Sequence, residues 1–239
     1  MLYIYGPLNS RRLGLSLGIT LTPYKTCNFD CVYCQLGKTA NVAIQRKEYI
    51  PIQEILDELK VWLQNNSEQA KQLNYITLSG SGEPTLNDKI GQLISGIKKL
   101  TPAPLAVITN ASLLGAATVR QQLEEADLIV PSLDAATPQI FEKINRPAPA
   151  VKITEIINGL VSLRAEFRGK IWLEVMLVKG VNDDLRHIKR LKEAIVRINP
   201  DKIQLNSPVR ATTEPGILPV PKSKLNKIKE IIGDKCEIL

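Results

Sequence analysis

Tyr75-Ile76-Thr77-Leu78-Ser79-Gly80-Ser81-Gly82-Glu83-Pro84 reads as a buried strand that runs into a polar, glycine-bearing loop. Shortly after it, Ile90, Leu93, Ile94 and Ile97 recur at spacings of three and four, which places them on one face of a helix. This is one strand-loop-helix unit, and the chain repeats it. Apolar runs at Leu15 to Leu21, Leu105-Ala106-Val107-Ile108, Leu128-Ile129-Val130, Ile171 to Val178 and Lys202-Ile203-Gln204-Leu205 supply five further strands. Helical periods lie between them: Ile52-Ile55-Leu56-Leu59 with Trp62-Leu63, Ile153-Ile156-Ile157-Leu160-Leu163, and Ile188-Leu191-Ile195-Ile198. Strands that alternate with helices pair in parallel through right-handed crossovers. The expectation is an α/β fold, a partial (β/α)6 TIM-like barrel of parallel strands with its active site at the C-terminal ends of the strands.

The organisation expected from this pattern is a single domain. Residues 1–14 form an N-terminal extension, residues 15–206 the barrel core, and residues 207–239 a C-terminal helix and a short terminal segment. Hydrophobic residues make up 44% of the chain, enough for a sizeable core. The opening Met1-Leu2-Tyr3-Ile4-Tyr5-Gly6-Pro7 has no basic segment leading into an apolar one, and no run of about 18 apolar residues occurs anywhere. Neither secretion nor membrane spanning is supported. Of four cysteines, three fall within eight residues and the fourth is remote at Cys236, a spacing that suits a reducing cytoplasm better than a disulfide framework. A formal charge of +7 permits a phosphate-bearing partner without requiring one.

The chemistry concentrates on the loops that follow the strands. Cys27-Asn28-Phe29-Asp30-Cys31-Val32-Tyr33-Cys34 follows the first strand and Ser79 to Pro84 the second. Thr109-Asn110 follows the third, and Pro131-Ser132-Leu133-Asp134 the fourth. Three thiolates on one short loop can wrap a 4Fe-4S cube and leave one iron without a protein ligand. A structural zinc site wants four ligands, and the remaining candidates, His187 and Cys236, are both distant in sequence. A simple electron carrier normally adds a fourth local cysteine, and three bystander thiols remain a further alternative.

The Cys-x3-Cys-x2-Cys spacing with an aromatic residue before the third cysteine resembles the signature of the radical S-adenosylmethionine (radical SAM) superfamily. The resemblance implies that Cys27, Cys31 and Cys34 hold a 4Fe-4S cluster. It also implies that the open iron binds S-adenosyl-L-methionine, which is cleaved reductively to methionine and a 5'-deoxyadenosyl radical. On the same basis Tyr33 packs near the adenine, although it would serve equally as a core aromatic. Gly80-Ser81-Gly82-Glu83 is similar to the family's Gly-Gly-Glu loop, where backbone and carboxylate receive the cofactor's ammonium, with Ser81 standing between the glycines. Read by itself, the segment is a tight turn with a solvated glutamate.

Thr109-Asn110 resembles the family's Thr-Asn-Gly, with Ala111 in place of the glycine, and Ser132-Leu133-Asp134 resembles its Ser-Leu-Asp. The resemblance makes Asn110, Ser132 and Asp134 cofactor contacts; ordinary loop capping explains them as well. Glu174, Met176 and Asn206 are candidates to line the interior. Gly6 to Gly14, with Arg11 and Arg12, resembles enzymes grouped near the wyosine tRNA-modifying synthases. Arg12 is the candidate there to hold a cofactor carboxylate or a substrate phosphate, against the alternative of a surface arginine pair.

His187 is expected to be exposed on a helix capped by Asn182 or Asp183, and Cys236 to pack in a final apolar segment. The implied partners are S-adenosyl-L-methionine, an electron donor such as a flavodoxin or ferredoxin, and a substrate. A tRNA base is the first choice of substrate, with a small metabolite or a peptide as alternatives. Rival functions are a non-catalytic iron-sulfur redox module and a zinc-bearing RNA-binding domain.

Overall fold

Leu17, Ile19, Ile76, Leu78, Leu105, Val107 and Ile129 are each fully buried, and each alternates with a residue that points the other way, as the pleat of a strand demands. The computed structural model describes residues 2–39, 42–209 and 212–239; Met1 of the opening segment lies outside them. In chain order the elements are β1 (Ile4–Ser10), β2 (Gly14–Ile19), α1 (Ile52–Asn65), α2 (Ser67–Lys71), β3 (Tyr75–Leu78), α3 (Ile90–Leu100), β4 (Leu105–Thr109), α4 (Ala117–Gln122), β5 (Leu128–Pro131), α5 (Pro138–Asn145), α6 (Ile153–Glu166), β6 (Lys170–Met176), α7 (Leu185–Ile198), β7 (Lys202–Asn206), α8 (Lys222–Ile232) and β8 (Cys236–Ile238). The strands form one sheet in sequence order, β1 to β8. From β2 to β8 every neighbouring pair is parallel, and β1 alone runs antiparallel to β2.

All six expected strands are present, as β2 to β7. The two additions are the edges. β1 forms a hairpin with β2, Ile4 facing Ile19 and Ser10 facing Gly14. Only Ile4 of its seven residues is buried, so it leaves no apolar alternation for a sequence reading to detect. β8 is three residues long and pairs Cys236 with Ile203, which places the remote cysteine in the sheet, 3% exposed.

Two apolar layers result. Helices α1, α3, α6 and α7 cover the outer face through Ile55, Leu59, Ile90, Leu93, Leu160, Leu163, Ile188 and Leu191. Each such side chain contributes about 1.5–3 kcal/mol when fully buried. On the other side of the sheet a smaller cluster of Ala106, Leu128, Val130 and Leu13 fills one end of the barrel, flanked by Tyr75, Ile108 and Trp172. Above it the inward side chains turn polar: Thr77, Glu174, Gln204 and Asn206.

His187 departs from expectation. It is 3% exposed, and its Nε2 lies 3.4 Å from the Asp134 carbonyl oxygen. Asp184, not Asn182 or Asp183, caps α7, its Oδ1 accepting from the Arg186 and His187 amides. Asn182 is instead a buried brace that donates from Nδ2 to the Asp134 and Met176 carbonyls. The helical period places residue 187 one position before Ile188, on the flank that the loop after β5 happens to cover, and such tertiary cover is invisible to periodicity. Among the described residues no helix is long and apolar enough to cross a membrane.

Gly159 shows how closely α6 seats on the loop after β4: a Cβ there would lie 2.6 Å from the Gly115 amide nitrogen and from the Leu114 carbonyl carbon. Gly159→Ala is expected to lower the unfolding free energy by about 1–3 kcal/mol in a urea titration, the usual cost of overpacking. Gly115→Ala, whose Cβ would meet its nearest neighbour at 3.8 Å, should remain close to wild type.

Candidate active site

The loop after β2 is held in place from three sides. Val32 N and Asp30 N donate to the Ile144 and Asn145 carbonyls at the end of α5. Thr213 donates from both its amide and its hydroxyl to the Cys34 carbonyl, at 2.9 and 2.8 Å. On the third side Thr26 lies beside Gly82 in a parallel bridge, with Glu83 N donating to the Thr26 carbonyl at 2.9 Å. A Cβ at residue 82 would lie 1.9 Å from that carbonyl oxygen, so only glycine permits the approach. Gly80 provides the turn itself, at φ +100°.

All three loop cysteines are free and half-buried, and each sulfur has an N–H donor within reach. Cys27 Sγ faces the Phe29 amide at 3.4 Å and Asn110 Nδ2 at 3.6 Å. Cys31 Sγ faces Asn145 Nδ2 at 3.4 Å, and Cys34 Sγ faces Lys25 Nζ at 2.8 Å. Burial, with Glu83 nearby, pushes the Cys27 thiol up to about 11. Burial, then Cys27, raises that of Cys31 further. Any metal centre bound there must therefore displace protons as it forms.

Glu83 is 2% exposed. Its Oε1 accepts from the Thr85 amide and hydroxyl and from Thr109 Oγ1, and its Oε2 accepts from the Asn110 amide at 2.7 Å. Burial raises its pKa, and those four bonds oppose the rise. The solvated-turn reading of this segment is thus replaced by a carboxylate tying two loops together. Asn110 reaches Asn28 Oδ1 at 2.8 Å as well as Cys27. Next to it, Ala111 sits at φ +64°, so it holds the left-handed conformation that ordinarily favours glycine.

Tyr33 donates to Asp134 Oδ2, which also accepts from Asn145 Nδ2 at 2.8 Å, while Asp134 Oδ1 accepts from the Met176 amide. Arg12 Nη1 pairs with Glu174 Oε2 at 2.5 Å, and Glu174 Oε1 accepts from Asn206 Nδ2 at 3.1 Å. Both strand residues thus line the interior, and Arg12 is engaged there rather than on the surface. A cavity of about 290 Å³ brings these groups together; Cys27, Cys34, Tyr33, Gly80, Gly82, Glu83, Asn110, Ser132, Glu174, Met176 and Arg12 all line it. Cys31 and Asp134 stand just behind, joined to that wall through Asn145 and Tyr33. Lys25, Asn28 and Asn145 belong to the same constellation; Asn28 lies within the cysteine run, while Lys25 and Asn145 have no motif of their own. Only the adjacency of Lys25 to Thr26-Cys27 hinted at it.

Parallel strands whose C-terminal loops converge on a cysteine-rimmed cavity place the candidate site where α/β barrels carry their active sites. Residues 21–194 match the Radical SAM superfamily, and the chain belongs to that superfamily, an enzyme family that uses a 4Fe-4S cluster and S-adenosylmethionine. It is 39% identical over 235 residues to a Brachyspira hyodysenteriae protein called GTPase Obg, spanning 98% of this chain and 34% of that protein's length. It is likewise 39% identical over 208 residues to the UPF0026 protein slr1464 of Synechocystis, covering 87% of this chain and 76% of the other. The fold is also that of a radical SAM methyltransferase from Sphaerobacter thermophilus, with a TM-score of 0.69 at 15% identity over 94% of this chain and 66% of the solved one.

Burial, against hydrogen bonds from Tyr33, Asn145 and Met176, pushes the Asp134 carboxyl up to about 6. An unfolded aspartate titrates near about 3.9, so the folded state favours the protonated form. The resulting stabilisation is fully present below about 4 and is lost as pH rises through about 6. Urea titrations of the cluster-free protein between about pH 4 and 7 should show this component in the wild type and lack it in Asp134→Asn. Parallel curves for the two proteins would contradict it.

Proposed function

We propose that Cys27, Cys31 and Cys34 hold the 4Fe-4S cluster and that the adjoining cavity receives S-adenosyl-L-methionine. The observation that carries this reading is the donor set: three half-buried sulfurs, each facing an N–H group, with Cys27 and Cys34 on the wall of one cavity and Cys31 just behind it. Such donors stabilise thiolates bound to metal. When bound, the cluster and cofactor together supply reductive cleavage to a 5'-deoxyadenosyl radical.

The chain's own residues then bind, orient and shield. Gly80 and Gly82 open the wall to close approach, and the second oxygen of Glu83, with one hydrogen bond against three on the first, keeps capacity for an ammonium donor. Asn110 and Ser132 offer polar groups to the cofactor's carboxylate and ribose. Tyr33, fixed by Asp134, presents its ring to the adenine. Arg12, already balanced by Glu174, is placed to hold a carboxylate or phosphate only by sharing that charge. The cofactor's single-electron supply comes from a small cytoplasmic redox protein such as a flavodoxin or ferredoxin.

The substrate reading we favour is a tRNA base. It rests on the Gly6 to Gly14 opening, similar to enzymes near the wyosine synthases, and on a formal charge of +7.

Anaerobic reconstitution should load about four iron per chain. Changing any one of Cys27, Cys31 or Cys34 to Ala should abolish loading, while Cys236→Ala should retain it. Reduced with dithionite, the wild type should release 5'-deoxyadenosine and methionine from S-adenosylmethionine. Glu83→Gln should weaken cofactor binding, read by equilibrium titration, at unchanged iron content. One equivalent of zinc in anaerobically prepared protein, without iron, would overturn the assignment.

A further inference from the structure

The net charge of this protein is not spread over its surface. Helices α7 and α8 together carry nine Lys and Arg residues against two acids, Glu193 and Glu230, a net of +7. The whole chain is also +7, from 31 basic and 24 acidic residues. The other elements therefore cancel to zero, 22 against 22, and the chain's electrostatic asymmetry resides in two helices. These two helices pack against each other. Ile188, Leu191, Ile195, Leu225 and Ile228 fill their inner sides, while Arg186, Lys189, Arg190, Lys192, Lys222 and Lys227 are exposed. Among the described residues one of the nine, Lys224, forms an ion pair, with Asp183 at 2.7 Å. The remaining charge faces outward uncompensated.

Its placement argues against a purely stabilising role. A helix favours acids at its start and cations at its end. α6 obeys, with Glu155 in its first turn and Arg164 in its last, and α3 ends on Lys98 and Lys99. α7 and α8 have no acid in the first turn. Arg186 stands near the start of α7, and Lys222 and Lys224 open α8. Asp184 relieves α7 through its cap but lies outside the helix, and α8 has no side-chain cap.

The same helix starts adjoin the active site. α7 follows β6 and α8 follows β7, so both begin at the end of the barrel where the strand loops converge. Asn182, just before α7, bonds to the carbonyl of Asp134. Thr213, on the segment entering α8, bonds to the carbonyl of Cys34. The basic face thus starts at the rim of the cavity and extends down the outside of the barrel. At about 1.5 Å per residue the 14 residues of α7 run about 21 Å, the rise of about six nucleotides stacked at 3.4 Å.

Building on the RNA reading above, we propose that the exposed face of α7 and α8 is the docking surface for the phosphate backbone of the RNA substrate. It holds the nucleic acid along the outside of the barrel so that one nucleotide, drawn out of its stack, reaches the cavity. Point charges strung over two helices suit an extended polyanion. An acidic electron-donor protein would profit chiefly from charge next to the cysteines, and the far end of this strip, Arg197, lies about 16 Å along α7 from Arg186.

The test is an anisotropy titration of bulk tRNA with the reconstituted protein between about 50 and 200 mM salt. It compares wild type with Lys189→Glu/Arg190→Glu/Lys192→Glu, with Lys222→Glu/Lys227→Glu/Lys229→Glu, and with a control of equal charge change elsewhere, Lys60→Glu/Lys99→Glu/Arg168→Glu. Each helix variant should lose at least about tenfold in affinity at the lower salt and flatten the logarithmic salt slope by about two units. The control should follow wild type, and all four proteins should melt alike and cleave the cofactor with dithionite alike. Wild-type binding that the helix variants retain, or that the control loses equally, overturns the surface and leaves the RNA reading standing. Absence of wild-type binding at the lower salt overturns both. Helix variants that bind tRNA normally but accept electrons slowly from reduced flavodoxin would assign the face to an acidic redox protein and overturn the proposal.

Discussion

A single buried carboxylate holds the active end of this molecule together. Glu83 accepts donors from its own loop through Thr85 and from the loop after β4 through Thr109 and Asn110, and its amide reaches across to Thr26 at the head of the cysteine loop. Taking such a group out of water is costly unless it is hydrogen-bonded, and four bonds, three on Oε1 and one on Oε2, offset that cost while leaving Oε2 room for a further donor. Three successive strands are thereby tied at their ends by one residue, two through its carboxylate and the third through its amide. The spacing of the cysteines from the cavity wall depends on that tie, because Asn110, fixed through its backbone to Glu83, is also the residue that meets Cys27.

A second tie of the same kind lies opposite. Asp134 joins Tyr33 of the cysteine loop, Asn145 of α5 and the last residue of β6, Met176. Asn145 in turn touches Cys31. The cysteine loop has little regular structure of its own, so its shape comes from these flanking bonds and from the backbone contacts of residues 144–148 and 213–214. Rigid strands supply the positions, and buried acids connect them to the cysteine loop.

Much of this was legible beforehand. The six central strands and their covering helices announced themselves because parallel strands buried on both faces read as continuous apolar runs and the helices keep a strict period. The cysteine, Gly82-Glu83, Asn110 and Ser132-Asp134 positions were legible because a barrel sends the ends of its strands to one place. What escaped were features set by tertiary cover. β1 has a single buried side chain, β8 is three residues long, and His187 is buried by a loop more than fifty residues away in sequence. Ala111 shows the converse: it stands where the motif it resembles has glycine, and the backbone still keeps a left-handed turn at φ +64°, since the bonds at Thr109 and Asn110 outweigh the strain of one methyl group.

The sheet's unpaired edges have a mechanical consequence. A barrel whose first and last strands are hydrogen-bonded has a fixed circumference, and its lumen can change only by breaking a ladder. Here β1 and β8 are the two ends of the strand order, and between them Arg11 reaches Asn206 and the Leu239 carbonyl only at 3.5 Å. Small changes in interstrand twist, added over seven pairings, can therefore widen or narrow the radius while every ladder remains intact. The interior is an arc that can adjust its span to a bulky guest, with the stiff, Glu83-braced sector serving as its fixed jaw.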